Sequence, residues 1–377
     1  MPKKPQRIHA EQVHLDVALG RFRPAIEAEM RQAFDTVDQE ESTKLFYGQM
    51  AYHLGWVDAQ LQPTQADPGK LMRPALLLWA CRLAKATTGA TEAEQDRLCD
   101  VALPVAAAIE LIHNFSLVHD DIVDHDHFRR HRPTLWSVWG ERQGINTGDG
   151  MFSLARLTMW KSVDKGLAPS IAAKVAAIID RTSLVLCEGQ FLDMSYESQQ
   201  NITSDMYLNM IKRKTAALMR ASTEAGAWIG APNDSETIAA LAEFGEQLGL
   251  AFQLRDDILG IWAGSDELGK SAAGDLRRKK MSLPIIHALE NASPEDKAHI
   301  QTIYQAEGPA SDEDVATMLT VLESTATRRW CQDSLAARCS IAHAALVRVC
   351  ETASLDPATE SALALQSLVH FVELVAK

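Results

Sequence analysis

Three aspartates follow a long apolar stretch of the chain, in the segment HDDIVD. Because an α-helix has 3.6 residues per turn, Asp120 and Asp124 would lie one turn apart on one face, with Asp121 beside them. Close carboxylates repel one another and raise each other's pKa unless a cation lies between them. Oxygen ligands suit Mg²⁺, which commonly takes one or two carboxylates and adds water and phosphate oxygens. The segment therefore predicts a magnesium site or a solvated acidic helix end.

A second acidic segment, FQLRDDILG, bears on the choice between these alternatives. Gln253, Asp256 and Asp257 fall within about one turn of a second apolar helix. Two such helices together could hold several Mg²⁺ ions, and a diphosphate is the ligand that such an array best suits. The pair of clusters favours the metal site.

Basic residues accompany both clusters in an otherwise acidic chain. The formal charge of −13 argues against a nucleic-acid-binding protein, because such proteins neutralise phosphates with surplus Lys and Arg. An anionic ligand must instead meet local cations, which could clamp a diphosphate. The candidates are Lys70, Arg73, Arg129, Arg130, Lys214, Lys270, Lys279 and Lys280.

The elements that must position these residues are helices. Ala, Leu, Glu, Gln and Arg dominate the 377 residues, and apolar residues recur at spacings of three and four. We expect an all-α protein with an N-terminal extension over residues 1–20 and one helical domain over residues 21–377. The apolar runs are shorter than the ~20 residues of a membrane span, and no secretory signal is recognisable. These features predict a cytoplasmic protein without an integral membrane segment.

Seven segments resemble the trans-isoprenyl diphosphate synthases, or polyprenyl synthetases, and most of all the geranylgeranyl diphosphate synthases. They are PGKLMRP, LIHNFSLVHDDIVD, RRHRPT, KTAAL, GQFLD, FQLRDDILG and GKSAAGDLRRKKMSLP. The resemblance implies the isoprenoid synthase fold, an all-α bundle around a central cavity, and usually a homodimer. It implies a prenyltransferase that joins isopentenyl diphosphate head to tail to an allylic diphosphate, giving a trans polyprenyl diphosphate.

The resemblance also implies a role for individual residues. Asp120, Asp124 and Asp256 would bind three Mg²⁺ ions, supported by Asp121 and Asp257. The allylic diphosphate would contact Arg129, Lys214, Thr215, Gln253 and Lys270. Isopentenyl diphosphate would be held by Lys70, Arg73, His113 and Arg130.

Product length should depend on the residues that precede the first cluster. Phe115 lies five positions before Asp120, which is about 7.5 Å along a helix, and the small Ser116 follows it. In the family, one aromatic residue at this depth resembles the geranylgeranyl synthases, which predicts a C20 product. Phe115 could instead be ordinary core packing.

Two positions depart from the family pattern. Gly260 replaces the last aspartate of the second motif, so we expect activity with altered metal affinity. His131 replaces a glycine that usually follows the two arginines. His127 and His131 are four residues apart and could bind a transition metal, but the helix is expected to end between Arg130 and Pro133, and no cysteine accompanies them.

Two other functions stay open. A terpene cyclase on the same fold would ionise the allylic diphosphate without using isopentenyl diphosphate, but Gly260 and Gly264 stand where cyclases usually carry Ser and Glu. A non-catalytic subunit of a heteromeric synthase would be expected to lose the acidic clusters, and this chain keeps five of the six aspartates.

Overall fold

The computed structural model of the protein describes residues 15, 17–35, 37, 40–64, 66, 69–197, 199, 201–263 and 273–374. These residues are mostly helical, and the two strands among them are two residues long each. The predicted all-α class is confirmed. Most of the predicted N-terminal extension lies outside the described residues, but residues 17–20 are helical, and the Ala18 carbonyl accepts a 2.8 Å hydrogen bond from Trp79 Nε1.

A short hairpin lies between helices in the first half of the chain, and every described element after it is helical. The elements, in order, are α1 (Arg23–Asp35), a 3₁₀ turn (Glu41–Thr43), α2 (Lys44–His53), α3 (Met72–Thr87), α4 (Glu92–Val123), β1 (Phe128–Arg129), β2 (Arg132–Pro133), α5 (Leu135–Trp139), α6 (Glu141–Asp164), α7 (Pro169–Glu197), α8 (Ser204–Ile211), a π-helix (Lys212–Ala216), α9 (Ala217–Gly230), α10 (Ser235–Trp262), α11 (Gly274–Arg277), α12 (Leu283–Asn291), α13 (Pro294–Gln305), α14 (Asp312–Ser324), α15 (Thr327–Thr352) and α16 (Glu360–Glu373).

The chain divides into two compact units. The first comprises Met1–Ser183, Ala221–Leu241 and Val349–Leu365, and the second comprises Leu184–Arg220, Ala242–Arg348 and Gln366–Lys377. The first acidic cluster belongs to the first unit and the second cluster to the second unit. The single domain over residues 21–377 stays a prediction.

Helix α4 is the core element of the first unit, and it packs against α3 and α6. Thr91 caps its N-terminus, because the Thr91 side chain accepts from the Glu94 N–H while the Glu94 carboxylate accepts from the Thr91 N–H. The helix is apolar on nearly every face between Ala102 and Ile112, and these side chains are buried. Burying each large apolar side chain contributes roughly 1.5–3 kcal/mol, so the packing anchors the polar end of the helix.

Helix α4 is also the one described helix whose length and composition would allow it to cross a membrane. Of its most apolar window, 72% is buried inside the protein, as in a core helix. In the second unit, α10 packs with α11 to α14 around a separate core that includes Ile261, Leu276, Ile285 and Met318. Each acidic cluster is therefore attached to a buried helix.

Candidate active site

The first acidic cluster occupies the C-terminal turn of α4. The helix ends at Val123, and the N–H of the C-cap residue Asp124 still donates to the Asp120 carbonyl at 2.8 Å. The predicted one-turn spacing is thus present, with Asp120 half-buried and Asp124 exposed. Both carboxylates are placed where an ion arriving from solvent can reach them.

Asp121 points the other way, into the protein. Its side chain is 1% exposed, and Oδ1 accepts a 2.7 Å hydrogen bond from Arg129 Nε. Burial raises the pKa of Asp121 to about 6, although Arg129 opposes that rise. Its Oδ2 is buried without a hydrogen-bond partner among the described residues. Asp121 therefore orients Arg129 beside the cluster.

The segment after α4 corrects the expectation that the helix continues to residues 130–133. Phe128 and Arg129 pair antiparallel with Arg132 and Pro133, so the turn contains only two residues. Both have left-handed backbone angles, with φ of 49° at Arg130 and 61° at His131. Such angles define the tight turns that match strand twist and usually require Gly or Asn. The glycine preference at position 131 thus has a steric cause.

Several of the residues expected to bind isopentenyl diphosphate lie close together near this hairpin, whose turn contains Arg130. Arg73 Nη1 lies 3.1 Å from His113 Nε2, and because arginine has no acceptor, Nε2 must accept and the imidazole proton must be on Nδ1. Burial, with Arg73 and Arg130 nearby, lowers the pKa of His113 well below its usual value. His113 is therefore neutral in this site.

Arg130 reaches the same place through a close contact with Gly69. The φ of Gly69 is 90°, and a Cβ there would lie 2.6 Å from Arg130 Nη2. The adjacent Lys70 is exposed, and Arg23 Nη2 donates to the Gly69 carbonyl at 2.9 Å. The segment from Gly69 to Arg73 thus brings a cation, a glycine and the start of α3 to one place.

In the second unit, the second acidic cluster lies on α10. Asp257 is buried, and its carboxylate accepts from Tyr207 Oη at 2.7 Å and from Gln253 Nε2 at 3.1 Å. Gln253 Oε1 accepts from Thr215 Oγ1 at 2.9 Å. Asp256 remains exposed beside this network, with 46% of its side chain accessible. The predicted partners Gln253 and Thr215 therefore align α10 with the π-helix.

Two lysines of the second unit are held by carboxylates. Lys214 Nζ donates to Asp193 Oδ2 at 2.5 Å, and Lys280 Nζ lies 3.8 Å from Asp257 Oδ1. The pKa of Lys280 is raised because its carboxylate neighbours outweigh burial. The predicted ligand Lys270 lies outside the described residues. Carboxylates thus orient both of these described lysines.

Asp275 places a carboxylate beside Gly260, the position at which the family motif usually has an aspartate. A Cβ at this position would overlap Asp275 Oδ2, so the Asp275 carboxylate lies directly over the Gly260 backbone. Asp275 is buried and accepts from Arg278 Nη2 at 2.7 Å, and Lys280 Nζ is 3.9 Å from Oδ2. The acidic character of this region is therefore retained by another residue.

The aromatic residue expected to limit chain length has a partner on α6. The rings of Phe115 and Phe152 lie 5.1 Å apart in an edge-to-face arrangement, and Phe115 also contacts His119 at 5.8 Å. Ser116 Oγ donates to the His113 carbonyl, which keeps this small side chain against its own helix. Phe115 is thus held by an edge-to-face contact about one and a half helical turns before Asp120.

The donor chemistry of both clusters fits Mg²⁺. Each offers accessible carboxylate oxygens, and among the described residues no three His, Cys, Asp or Glu side chains already form a closed metal site. Carboxylate oxygens of this kind can bind Mg²⁺ together with phosphate oxygens and water. His127 is engaged otherwise, with Nδ1 3.1 Å from Ser137 Oγ and its ring against Trp136.

The polyprenyl synthetase family model matches residues 55–322. The chain belongs to the polyprenyl synthetase family. It is 36% identical to the (2E,6E)-farnesyl diphosphate synthase of Mycobacterium tuberculosis over 315 residues, 83% of this chain and 81% of that protein. It is 39% identical to the geranylgeranyl diphosphate synthase of the same species over 270 residues, 71% and 72% of the two chains.

Solved structures of polyprenyl synthetases agree with this family assignment. The polyprenyl synthetase of Streptomyces coelicolor superposes with a TM-score of 0.81 at 32% identity, covering 95% of this chain and 99% of that one. The geranylgeranyl pyrophosphate synthetase of Pyrococcus horikoshii gives 0.75 at 29% identity, with 95% and 98% covered. The isoprenoid synthase fold predicted from the motifs is confirmed.

Two of the recognised motifs contain polar residues that were not predicted to belong to the site. Asp193 ends the segment GQFLD and Asp275 lies in GKSAAGD, so their motif positions were available signals. Tyr207, seven residues before Lys214, carried no such signal. Its importance comes from the tertiary contact with Asp257.

Proposed function

We propose that the protein is a prenyltransferase that condenses isopentenyl diphosphate with an allylic diphosphate, head to tail, to form a trans polyprenyl diphosphate. The observation that carries the proposal is the repeated pairing of an accessible aspartate with an oriented cation. Asp120 and Asp124 stand beside Arg129, which Asp121 holds, and Asp256 belongs to the unit in which Asp193 holds Lys214. Family membership supports the same function.

Three Mg²⁺ ions are proposed to be held by Asp120, Asp124 and Asp256. When bound, they would stabilise the negative charge that develops on a leaving diphosphate. Arg129 and Lys214 would contact the allylic diphosphate, together with Gln253, Thr215 and Lys270. Because carboxylates already orient Arg129 and Lys214, little reorganisation is needed when the leaving group departs.

Isopentenyl diphosphate is proposed to bind at Lys70, Arg73, His113 and Arg130. Neutral His113 accepts from Arg73 at Nε2, so it fixes the arginine without adding charge. After the allylic C–O bond breaks, the isopentenyl double bond attacks the allylic cation. Loss of a proton, with the released diphosphate as acceptor, then leaves the new trans double bond.

The proposed product is geranylgeranyl diphosphate. Phe115 and Phe152 form an aromatic pair below Asp120, and relatives carry both farnesyl and geranylgeranyl names. We further propose a homodimer in the cytoplasm, with no nucleic-acid partner. The exposed apolar side chains Ile145, Leu157 and Trp160 on α6 support self-association.

Product identification tests the function. The purified protein is incubated with Mg²⁺, isopentenyl diphosphate and the C5, C10 or C15 allylic diphosphate, and products are identified by mass spectrometry. Elongated linear diphosphates are expected from each primer, ending at C20. A hydrocarbon or alcohol formed without consumption of isopentenyl diphosphate would indicate a cyclase, and absence of turnover would indicate a subunit that requires a partner.

A further inference from the structure

Glu110 is a buried carboxylate that the proposed chemistry does not use. It lies on α4 one turn before His113 and Asn114, and it is 3% exposed. Asn114 Nδ2 donates to Glu110 Oε1 at 3.0 Å and to its carbonyl at 2.8 Å. A carboxylate in such a place costs free energy unless nearby cations compensate for lost solvation.

The compensating cations come from several elements. Arg73 on α3 lies against His113, one turn after Glu110, with Nη1 3.1 Å from His113 Nε2. Arg73, Arg130 of the hairpin and Arg23 on α1 all favour the ionised form of Glu110. Asn114, which bonds to Glu110, also lies against the half-buried His53 at the end of α2. Glu110 thus adds one carboxylate to an otherwise basic group of side chains that includes Arg73 and His113.

We propose that Glu110 is a positioning residue for isopentenyl diphosphate, acting by holding the Arg73 guanidinium in the orientation in which it contacts His113 and the diphosphate. The inference rests on the proposed function, because that function supplies the isopentenyl diphosphate. Glu110 does not touch the substrate. Because Glu110 holds the long Arg73 side chain before the substrate binds, Arg73 loses less rotamer entropy on binding.

The interaction by which Glu110 holds Arg73 should depend on pH. Burial raises the pKa of Glu110 to about 7, and Arg73 and Asn114 limit the rise. Above that pH the carboxylate is ionised and holds Arg73. Below it the acid is neutral, and the attraction to Arg73 is reduced. Lower pH should therefore act on the wild type as the Glu110→Gln substitution does.

The test compares Glu110→Gln, Glu110→Asp and the wild type, with Glu29→Gln as the matched control. Glu29 is an equally buried glutamate of the same unit, paired with Lys165 at 2.6 Å instead of the arginines. At pH 8 we expect Glu110→Gln to raise KM for isopentenyl diphosphate about tenfold, as for loss of one charged partner. KM for the allylic diphosphate, kcat and the control should stay within about twofold of the wild type.

A pH series separates this role from a merely structural one. The ratio of KM values, Glu110→Gln over wild type, should fall toward one at pH 6, since titration of the substrate cancels in the ratio. Glu110→Asp keeps the charge but is one methylene shorter, so it should show a smaller increase with the same pH trend. It also serves if Glu110→Gln does not fold.

Each other outcome overturns the inference. Removing a negative charge could by itself strengthen anion binding, so a lower KM for isopentenyl diphosphate in Glu110→Gln would show that charge balance, not positioning, is the role. A ratio that does not change with pH would do the same. A wild type that neither turns over nor binds isopentenyl diphosphate in calorimetry overturns the proposed function too, whereas equal KM values in active proteins overturn only this proposal.

Discussion

The carboxylate of Asp275 lies over the backbone of Gly260, in the space that a side chain at position 260 would need. Asp275 also accepts from Arg278 and lies near Lys280, which lies near Asp257. The glycine is therefore the small residue that admits a carboxylate from another segment. An acidic group thus lies beside Gly260 although position 260 itself carries none.

Restoring the motif with Gly260→Asp should damage the protein. A new side chain would overlap Asp275 and bring a second carboxylate against it, so we expect a loss of about 1–3 kcal/mol in the free energy of unfolding and weaker Mg²⁺ activation. Gly20→Ala is the control, because a Cβ there meets no atom within 4 Å. Urea unfolding and Mg²⁺ titration of activity measure both effects. Equal or better metal activation in Gly260→Asp would contradict the overlap.

The helices and the one-turn spacing of the aspartates could be predicted from the sequence, since both depend on local periodicity. The stripe on α4 and the capping of its first turn by Thr91 and Glu94 are examples. The hairpin after α4 could not be predicted, because neither Arg130 nor His131 is a residue that signals a left-handed turn.

The pairing of charges within each unit was equally out of reach. Lys214 and Asp193 are 21 residues apart on different helices, and only their tertiary packing shows that one orients the other. The same holds for Asp275, whose place over Gly260 depends on how α11 packs against α10. Sequence reasoning supplied the ligand types, whereas their orientation required the fold.

His131→Gly should stabilise the hairpin turn. A non-glycine residue with φ of 61° costs about 1–2 kcal/mol, and glycine removes that cost. Glycine also increases the conformational entropy of the unfolded chain, which offsets part of the gain. We expect a net gain of about 0.5–1 kcal/mol in urea unfolding. His343→Gly, inside α15, is the opposite case and should lose about 1 kcal/mol. A destabilised His131→Gly would show that the imidazole makes a contribution larger than the strain.

Asp193→Asn should weaken the use of the allylic diphosphate. Without the carboxylate, Lys214 loses the partner that sets its direction, so kcat/KM for the allylic substrate should fall about tenfold. KM for isopentenyl diphosphate should not change. Glu188→Gln removes the neighbouring, more exposed pair with Arg213 at 3.3 Å and should change neither value. Equal effects of the two substitutions on steady-state kinetics would sink the orienting role of Asp193.

Phe115→Ala should lengthen the product. Removing the ring takes away the partner of Phe152 and opens space below Asp120, so products beyond C20 are expected by mass spectrometry, and the double variant with Phe152→Ala should extend further. The control is Phe34→Ala, because Phe34 forms a similar pair with Trp56 at 5.2 Å on other elements. It should cost about 3–5 kcal/mol in stability without changing product length. An unchanged product pattern in Phe115→Ala would assign the ring to core packing alone.

His53 should make the protein sensitive to acid. Burial, with Arg129 and Arg130 nearby, lowers the pKa of His53 from 6.5 to about 3. Between these values the unfolded chain binds a proton that the folded protein does not, so stability falls as pH decreases, by up to about 1.4 kcal/mol per pH unit. Glu110 and Asp121 change stability in the opposite sense over part of this range, since their pKa values are raised. The comparison is therefore the slope of unfolding free energy between pH 6 and pH 5 in wild type and in His53→Gln. We expect the slope of the unfolding free energy against pH to be less positive in the variant than in the wild type, while the exposed His299→Gln should keep the wild-type slope. Identical slopes in all three proteins would mean that His53 is protonated in the folded state.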